Sequence, residues 1–346
     1  MTHRTFTQSA AASKAYELVT ALQTRFVSGL ESLAESLNSP QSFQAVEWLR
    51  DEGRHGGGIR FETADGVLFG RGSVNVSQVH YDDEPTRKLG SATAISTIIH
   101  PCHPLAPSVH IHVSWTEMKY GEGYWRIMAD LNPSIENPAA TGRFLAALED
   151  AASDTFIEGK AQGERYFYIP ALKRHRGVAH FYLESYRTDD AKADARLAKK
   201  VGKAAIDTYL SILQDTLNTV ETPTGAQKRT QLDYHTLYFF QVLTLDRGTT
   251  SGLLIHDQND VGIMGSLPAY VDKALLQSWI DRMPVPQNKL LEALIAALPD
   301  TSPNHVDAQV KVRLAAVVRQ HYKAHPEAIA MQASGDVVPA TVRNHS

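Results

Sequence analysis

The sequence predicts an α+β protein with a largely antiparallel sheet. Apolar and polar residues alternate with a period of two through much of the middle of the chain, between Ile59 and Leu131, as in half-buried strands. Toward both ends, apolar residues recur every three or four positions, as they do in amphipathic helices. Strands grouped together, with helices before and after them, are typical of α+β folds.

The first helix is predicted from Ala15 to Leu37, where apolar residues form a single stripe. The preceding residues, 1–14, are expected to form a flexible N-terminal segment. A short helical stretch is predicted around Val46–Leu49, and the glycine run Gly56–Gly58 is expected to end it as a flexible loop.

Two strands of the middle region show the alternation most clearly. The first covers 109–115 and places His110, His112 and Ser114 on one face, with apolar residues on the other. The second covers 123–131 and places Asp130 on its polar face. These polar faces contain the first candidates for a functional site.

The rest of the chain is predicted mainly from the same periods. The expected elements are a helix over 136–158, strands over 166–169 and 178–183, and a long helix over 192–218. Two more strands, 237–245 and 252–256, are predicted to form a hairpin around Asp246–Gly248. Residues 271–325 are predicted to be helical, with breaks at prolines.

Composition limits the classes of function. The chain has 346 residues and a formal net charge of -4, with both signs interspersed, so no nucleic-acid partner is expected. Cys102 is the only cysteine, which excludes an internal disulfide and a multi-cysteine zinc site. The start lacks a secretory signal and no apolar run is long enough to span a membrane, so a cytoplasmic protein is expected. Without a glycine-rich phosphate loop after a strand, no nucleotide cofactor is expected.

His110 and His112 form the most informative pair. Two imidazoles on one strand face can begin a metal site or act as acid and base groups, and they can equally be two half-exposed strand histidines. Asp130 is either a functional carboxylate or a turn-capping residue before Leu-Asn-Pro. Arg176 and Arg247 lie beside predicted strands, where an arginine either clamps a carboxylate or has a structural role.

Several short motifs follow one another along the chain. They are GGGIR at 56–60, RGSVNVSQVH at 71–80, STIIHP at 96–101, PSVH at 107–110, DLNP at 130–133, YFYI at 166–169, RGV at 176–178 and DRGTTSGL at 246–253. In this order, from about Ala15 to Tyr270, the chain resembles the oxygen-dependent coproporphyrinogen III oxidase family.

The resemblance implies a large, flat antiparallel sheet sandwiched between helices, usually in a homodimer. It also implies oxidative decarboxylation of two propionates to vinyl groups, with O2 as co-substrate and no cofactor generally required. By position, His110 resembles the family's proton donor and Asp130 resembles the aspartate that holds pyrrole N–H groups. Ser96 resembles a substrate-contacting serine, and Arg176 and Arg247 match arginines of the family's motifs.

The departures from the family fall at pocket positions. His112 and Ser114 replace the asparagine and arginine of an Asn-Val-Arg motif, and His180 falls on a glycine. The family's Gly-Gly-Arg loop aligns with His256–Gln258, and three glycines before DLNP align with Arg126–Met128. The substrate-binding residues expected on this basis are Ser96, His112, Ser114, Arg176, Arg247, His256, Asp257 and Gln258.

Three functions follow from these departures. The leading hypothesis is an O2-using oxidative decarboxylase that has diverged toward another carboxylate-bearing small molecule. Its metal, if present, is iron, copper or zinc, and the expected ligands are His110, His112, His180 and His256, with Asp130 or Glu184 as further candidates. The first alternative is a true coproporphyrinogen III oxidase whose lost arginines are replaced by Arg60, Arg71 or Arg126. The second is a non-catalytic protein that binds a tetrapyrrole or a metal.

The resemblance also predicts the domain boundaries. One coproporphyrinogen oxidase-like domain is expected over 15–285, followed by a helical C-terminal extension over 286–326. The tail, 327–346, is expected to be disordered.

Overall fold

The computed structural model describes residues 3–121 and 123–335. Its sheet strands are β1 (Gln44–Leu49), β2 (Gly56–Ala64), β3 (Phe69–His80), β4 (Leu89–Pro101), β5 (Ser108–Met118), β6 (Tyr124–Asn132) and, after two short strands, β9 (Ala179–Tyr186). The short strands β7 (Tyr168–Ile169) and β8 (Arg174–His175) pair with each other, as do β10 (Tyr270–Val271) and β11 (Asn304–His305). The seven long strands form one sheet in the order β1-β2-β3-β4-β5-β6-β9, and each neighbouring pair is antiparallel.

Helices cover both faces of this sheet. They are α1 (Ala10–Ser36), α2 (Pro138–Ala152), α3 (Phe156–Phe167), α4 (Ala191–Thr219), α5 (Gly225–Thr244), α6 (Arg247–Ile255), α7 (Asp260–Ile263), α8 (Lys273–Gln277), α9 (Gln287–Ala297) and α10 (Ala308–Ala324). Apolar side chains of α1, α2 and α4 pack on one face. A second apolar core, on the other side, contains side chains of α5, α6, α8, α9 and α10. The predicted α+β class with a large antiparallel sheet between helices is confirmed. Within the described residues, no helix is long and apolar enough to cross a membrane.

The segment predicted as a short helix is instead the edge strand β1. Val46–Leu49 pairs with β2, and Trp48 lies opposite Gly58. A Cβ atom at Gly58 would clash with the Trp48 indole, so glycine is required where the two strands meet. The run Gly56–Gly58 therefore begins a strand and is not a loop.

The predicted hairpin over 237–256 is wrong, because this segment forms the end of α5 and all of α6. Every residue from Thr236 to Thr244 is buried, so this part of α5 has no polar stripe. A buried helix rich in aromatic and β-branched residues has the same pattern as a buried strand. Asp246, predicted in the hairpin turn, caps α6 by accepting the Thr249 N–H at 2.7 Å.

Both termini are more ordered than the sequence predicts. Residues 10–14 form the start of α1, and the backbone N–H of Thr5 donates to Gly53 at 2.9 Å. At the other end, Pro326–Met331 forms a 3-10 helix, and the Ala333 N–H donates to the Leu245 carbonyl at 3.0 Å. The described part of the predicted disordered tail, 327–335, is therefore structured, and 336–346 lies outside the described residues.

The predicted helix over 136–158 is two helices, α2 and α3, separated at Ser153, which has a φ of 47°. A non-glycine residue in this conformation is uncommon and ends the helical path. The long helix predicted over 192–218 is confirmed as α4. In the extension, α9 and α10 pack into the apolar core that contains α5, so this segment contributes to the same layer of helices.

Candidate active site

A cavity lies between the polar face of the sheet and helices α5 and α6. Its two adjoining parts, each of about 230 Å³, share a wall that includes His112, Arg126 and Gly252. His110 and His112 both line it, as their shared strand face predicts. The register places Ser96 opposite His112 and Asp130 opposite His110. The centre of the sheet therefore forms the floor of the cavity.

A buried group of polar side chains lies beside His110 on this face of the sheet, centred on Asp130. Its carboxylate is fully buried and accepts a hydrogen bond from Arg176 Nη2 at 2.8 Å. His110 Nδ1 lies 3.1 Å from the other carboxylate oxygen, and the Asn132 amide also donates to Asp130. Burial opposes ionisation, but the charge of Arg176 and the hydrogen bond with His110 outweigh it and hold the pKa of Asp130 well below its usual range. Asp130 is therefore an anion that orients its neighbours.

Arg176 is fixed from several directions. Its guanidinium lies between the rings of Phe167 and Tyr238, 4.3 and 4.5 Å from their centroids. Nη1 donates to Gln241 Oε1 at 2.7 Å, and the side chain is 1% exposed. Arg176 lines the cavity, but one edge of its guanidinium is committed to Asp130.

His110 presents one nitrogen to the cavity. Its Nδ1 faces Asp130, and because the side chain lines the cavity, Nε2 is the nitrogen available to a bound molecule. A histidine oriented by a buried carboxylate has a defined tautomer and can hold or move a proton at Nε2. This is the arrangement expected of a general acid or base.

His112 has a different environment, although it shares the same strand face. Its Nε2 lies 3.0 Å from Ser114 Oγ. Burial, followed by the nearby charges of Arg126 and His110, lowers the pKa of His112 to about 3. His112 is therefore neutral at physiological pH.

Because His112 stays neutral in the folded protein, we expect the free energy of unfolding to decrease as the pH is lowered. The unfolded chain protonates His112 near its ordinary pKa of about 6.5, whereas the folded chain does so near 3. The contribution of His112 to the free energy of unfolding is therefore fully present above pH 6.5. It decreases by about 1.4 kcal/mol per pH unit as the pH falls from 6.5 toward 3. Urea unfolding at pH 7, 6 and 5 should show a shallower decline in His112→Gln. His3→Gln, at an exposed position, is the control, and equal slopes in both variants would contradict the prediction.

Arg247 lines the cavity, but its charge is already paired. Nη1 lies 2.8 Å from Glu184 Oε1, and Nη2 donates to the Ala333 carbonyl. The Gly335 N–H donates to the second oxygen of Glu184 at 3.0 Å. The C-terminal segment thus contacts both members of this ion pair, and Arg247, predicted as a carboxylate clamp, is engaged with protein groups.

Within the described residues, the four histidines predicted as metal ligands do not come together around one point. His180 lies on the same face of the sheet, directly opposite Asp130 and covered by α3. Its Nδ1 is 3.1 Å from Glu164 Oε1, and its Nε2 is 2.7 Å from the Arg176 carbonyl. His256 lines the outer part of the cavity and contacts Arg50. Among the described residues, the metal-ligand atoms that lie close enough to share an ion do not include these two histidines, His110 or His112.

The other expected substrate contacts divide into two groups. Ser96 lines the inner part of the cavity and Ser114 the outer part. Asp257 and Gln258 are exposed and line neither part; the Gln258 side-chain oxygen accepts the Asp51 N–H at 2.9 Å. The loop aligned with the family's Gly-Gly-Arg motif therefore contributes only His256 to the wall.

Three tyrosines that are not among the predicted site residues line the inner cavity: Tyr166, Tyr182 and Tyr238. The Tyr166 hydroxyl donates to Asp246 Oδ2 at 2.9 Å, whereas the Tyr238 hydroxyl is buried without a hydrogen-bond partner. Tyr166 begins the YFYI motif and could have been selected from it. Tyr238 lies in the segment mistaken for a strand, so its direction could not be inferred.

Comparison with known proteins identifies relatives of one enzyme family. The family model described as coproporphyrinogen III oxidase matches residues 14–278. The oxygen-dependent coproporphyrinogen-III oxidase of Rickettsia bellii is 30% identical over 250 residues, which cover 67% of this chain and 85% of that protein.

Mitochondrial enzymes of the same name are also similar. The protein from Rattus norvegicus is 27% identical over 251 residues, 65% of this chain and 56% of its own length. The human protein is 25% identical over 252 residues, 66% of this chain and 55% of its own length. With the family model matching most of the chain and the predicted sheet and helices present, this protein belongs to the coproporphyrinogen III oxidase family.

Proposed function

We propose that this protein is an oxygen-dependent oxidative decarboxylase of a propionate-bearing tetrapyrrole, with coproporphyrinogen III as the first candidate substrate. The observation that carries this proposal is the oriented His110 at the floor of the cavity, with Asp130 and Arg176 behind it. The family match and the names of the relatives support the same chemistry. A homodimer is part of the proposal and rests on the resemblance.

The proposed reaction converts each propionate side chain to a vinyl group. The side chain loses CO2, one proton and two electrons, and O2 accepts the electrons with two protons to give hydrogen peroxide. His110 Nε2 is the group placed to hold or move a proton at the bound molecule. Asp130 keeps the imidazole oriented, and the cavity walls limit the access of water to the reacting carbon.

A second candidate is the same chemistry on a different carboxylate-bearing substrate. Arg126 and Met128 line the cavity at positions where the family has glycines. Their side chains occupy space that glycine would leave open, while Arg126 adds a positive charge. Since Arg247 is paired with Glu184, its charge is partly neutralised before a substrate carboxylate binds.

Aerobic incubation with coproporphyrinogen III distinguishes the two candidates. We expect O2 uptake and a product that has lost two carboxylates, detected by mass spectrometry as the loss of two CO2 and four hydrogens. The same rate is expected after dialysis against a chelator, because the four predicted histidine ligands do not converge. No turnover by well-folded protein would reject this substrate and favour the diverged one.

A further inference from the structure

Three basic side chains lie near one another at β2 and β3, behind the residues that line the cavity and away from His110. Arg60 is on β2, Arg71 is on β3, and Lys311 is on α10. Between the two arginines, Glu62 lies opposite Ser73 in the strand pairing. Ser73 lines the cavity, so the cluster adjoins the cavity wall.

Only a thin wall separates Arg60 from the cavity. Gly262 lines both parts of the cavity, and a Cβ atom at this position would clash with Nη1 of Arg60. At Gly265, an added Cβ would lie 2.9 Å from Ser73 Oγ and 3.9 Å from Cδ of Arg60. Backbone without side chains therefore lies against this arginine.

The cluster has more positive charges than partners. Arg60 Nε pairs with Glu62 Oε2 at 2.6 Å, and Nη1 lies 3.3 Å from Asn259 Oδ1. Arg71 donates through Nη2 to the Val306 carbonyl at 3.1 Å, but its buried Nε has no hydrogen-bond partner. Lys311 is 4% exposed, and the charges that act on it are those of Arg71, Glu62 and Arg60.

Burial of these cations is unfavourable without an anion. Burial, followed by the positive charge of Arg71, lowers the pKa of Lys311 to about 7. Burial also lowers the pKa of Arg71. Buried lysines and arginines are normally paired, and here, within the described residues, the one close ion pair of the three cations is that of Arg60 with Glu62. Asp65, Glu62 and Asp307 act on the charge of Arg71 without a close ion pair. A negatively charged group at this place would satisfy Arg71 Nε and Lys311 together.

Lys311 belongs to the C-terminal extension. The family model matches residues 14–278, so α10 adds this cation from outside the matched region. Arg60 and Arg71, which are also candidates to replace the arginines that the family has in its pocket, lie inside the matched region. A site completed by the extension is therefore a feature of this chain's own C-terminal helices.

We propose that Arg60, Arg71 and Lys311 form a carboxylate-binding subsite that holds one carboxylate arm of the substrate at the β2–β3 end of the cavity. This inference rests on the proposed function for the identity of the arm. It accounts for how a polycarboxylate is held although Arg247 is paired with Glu184. The arm lies away from His110, so the subsite contributes to binding and not to the chemical step.

The test is equilibrium binding of coproporphyrin III, the oxidised macrocycle with the same four propionates, to the full chain at pH 7. The variants are Lys311→Met and Arg71→Met. Lys323→Met is the matched control, because Lys323 lies exposed on the same helix, α10. We expect Kd to rise at least tenfold in the first two variants and to stay within twofold of the wild-type value in the control.

Turnover of coproporphyrinogen III provides a second readout. A remote carboxylate subsite predicts a raised KM for Lys311→Met with kcat within threefold of wild type. Far-UV circular dichroism and Tm verify folding, and removal of an unpaired buried charge is not expected to lower Tm. If Lys311→Met instead lowers kcat without changing Kd, the subsite is wrong.

Other outcomes distinguish a substrate carboxylate from a free anion at the cluster. They also distinguish failure of the subsite from failure of the proposed function. If inorganic phosphate raises Tm of wild type but not of Lys311→Met, while Kd for coproporphyrin III is the same in both, the cluster binds a free anion and the proposal is overturned. Absence of coproporphyrin III binding by wild type also overturns it. Binding that depends on Lys311, without turnover, would refute the proposed function alone.

Discussion

Replacement of Arg176 by Met is expected to lower the free energy of unfolding by about 3–5 kcal/mol, the usual cost of leaving one member of a buried ion pair without its partner. Arg176 is 1% exposed and Asp130 is fully buried, with Nη2 and the carboxylate 2.8 Å apart. Met keeps the unbranched aliphatic stem but ends at the level of Nε, so the stacking of the guanidinium between Phe167 and Tyr238 is lost together with the charge. Urea unfolding at pH 7 measures the decrease in free energy.

Two variants separate the charge effect from lost packing. Arg174→Met, two residues away at an exposed position, should change stability by less than about 0.5 kcal/mol. The double variant Asp130→Asn/Arg176→Met should recover part of the loss, because it no longer buries an unpaired anion. If Arg176→Met is no less stable than Arg174→Met, the pair does not contribute as described.

The sheet and its functional face could be predicted because strand alternation is a local property. The period of two placed His110 and His112 on one face, and the cavity lies on that face. That residues 237–244 belong to a helix and not to a strand could not be predicted in the same way. It is buried along most of its second half, and a helix without a polar stripe has no helical period in its sequence.

The four histidines do not come together as predicted, because His180 is held by contacts that the local sequence pattern does not indicate. His180 is directly opposite Asp130 in the β6–β9 pairing, so its place beside the site follows from the strand order. Its ring, however, is held by Glu164 of α3 and by the Arg176 carbonyl. The close approach of α3 depends on Gly163, where a Cβ atom would clash with His180, and no sequence period indicates that contact.

The C-terminal tail shows a second limit of sequence-based prediction. Residues 333 and 335 are held in part by backbone groups, since the Ala333 carbonyl accepts from Arg247 and the Gly335 N–H donates to Glu184. Backbone hydrogen bonds are available to any residue type, so they leave no pattern in the sequence. For this reason the tail was predicted to be disordered, and Arg247 was predicted to be free for a substrate carboxylate.

His110→Gln is expected to lower kcat for coproporphyrinogen III by about 10²–10⁴, the range found when a general acid or base is removed. Gln has polar side-chain atoms to keep a hydrogen bond with Asp130, but its amide is neither an acid nor a base near neutral pH. Folding and the binding of coproporphyrin III should therefore be retained, with Kd within threefold of wild type. Rapid mixing and product analysis in single turnover measure the chemical step.

His112→Gln is the matched comparison, because His112 lies on the same face two residues along the strand. His112 faces Ser114 and not a carboxylate, and its lowered pKa keeps it neutral, so it is poorly suited to donate a proton. We expect its kcat to fall less than tenfold, with the larger change in KM. Equal losses of kcat in the two variants would mean that the Asp130 contact does not distinguish the histidines. A reduced kcat for His110→Gln alone would assign the proton transfer to the imidazole that the buried carboxylate orients.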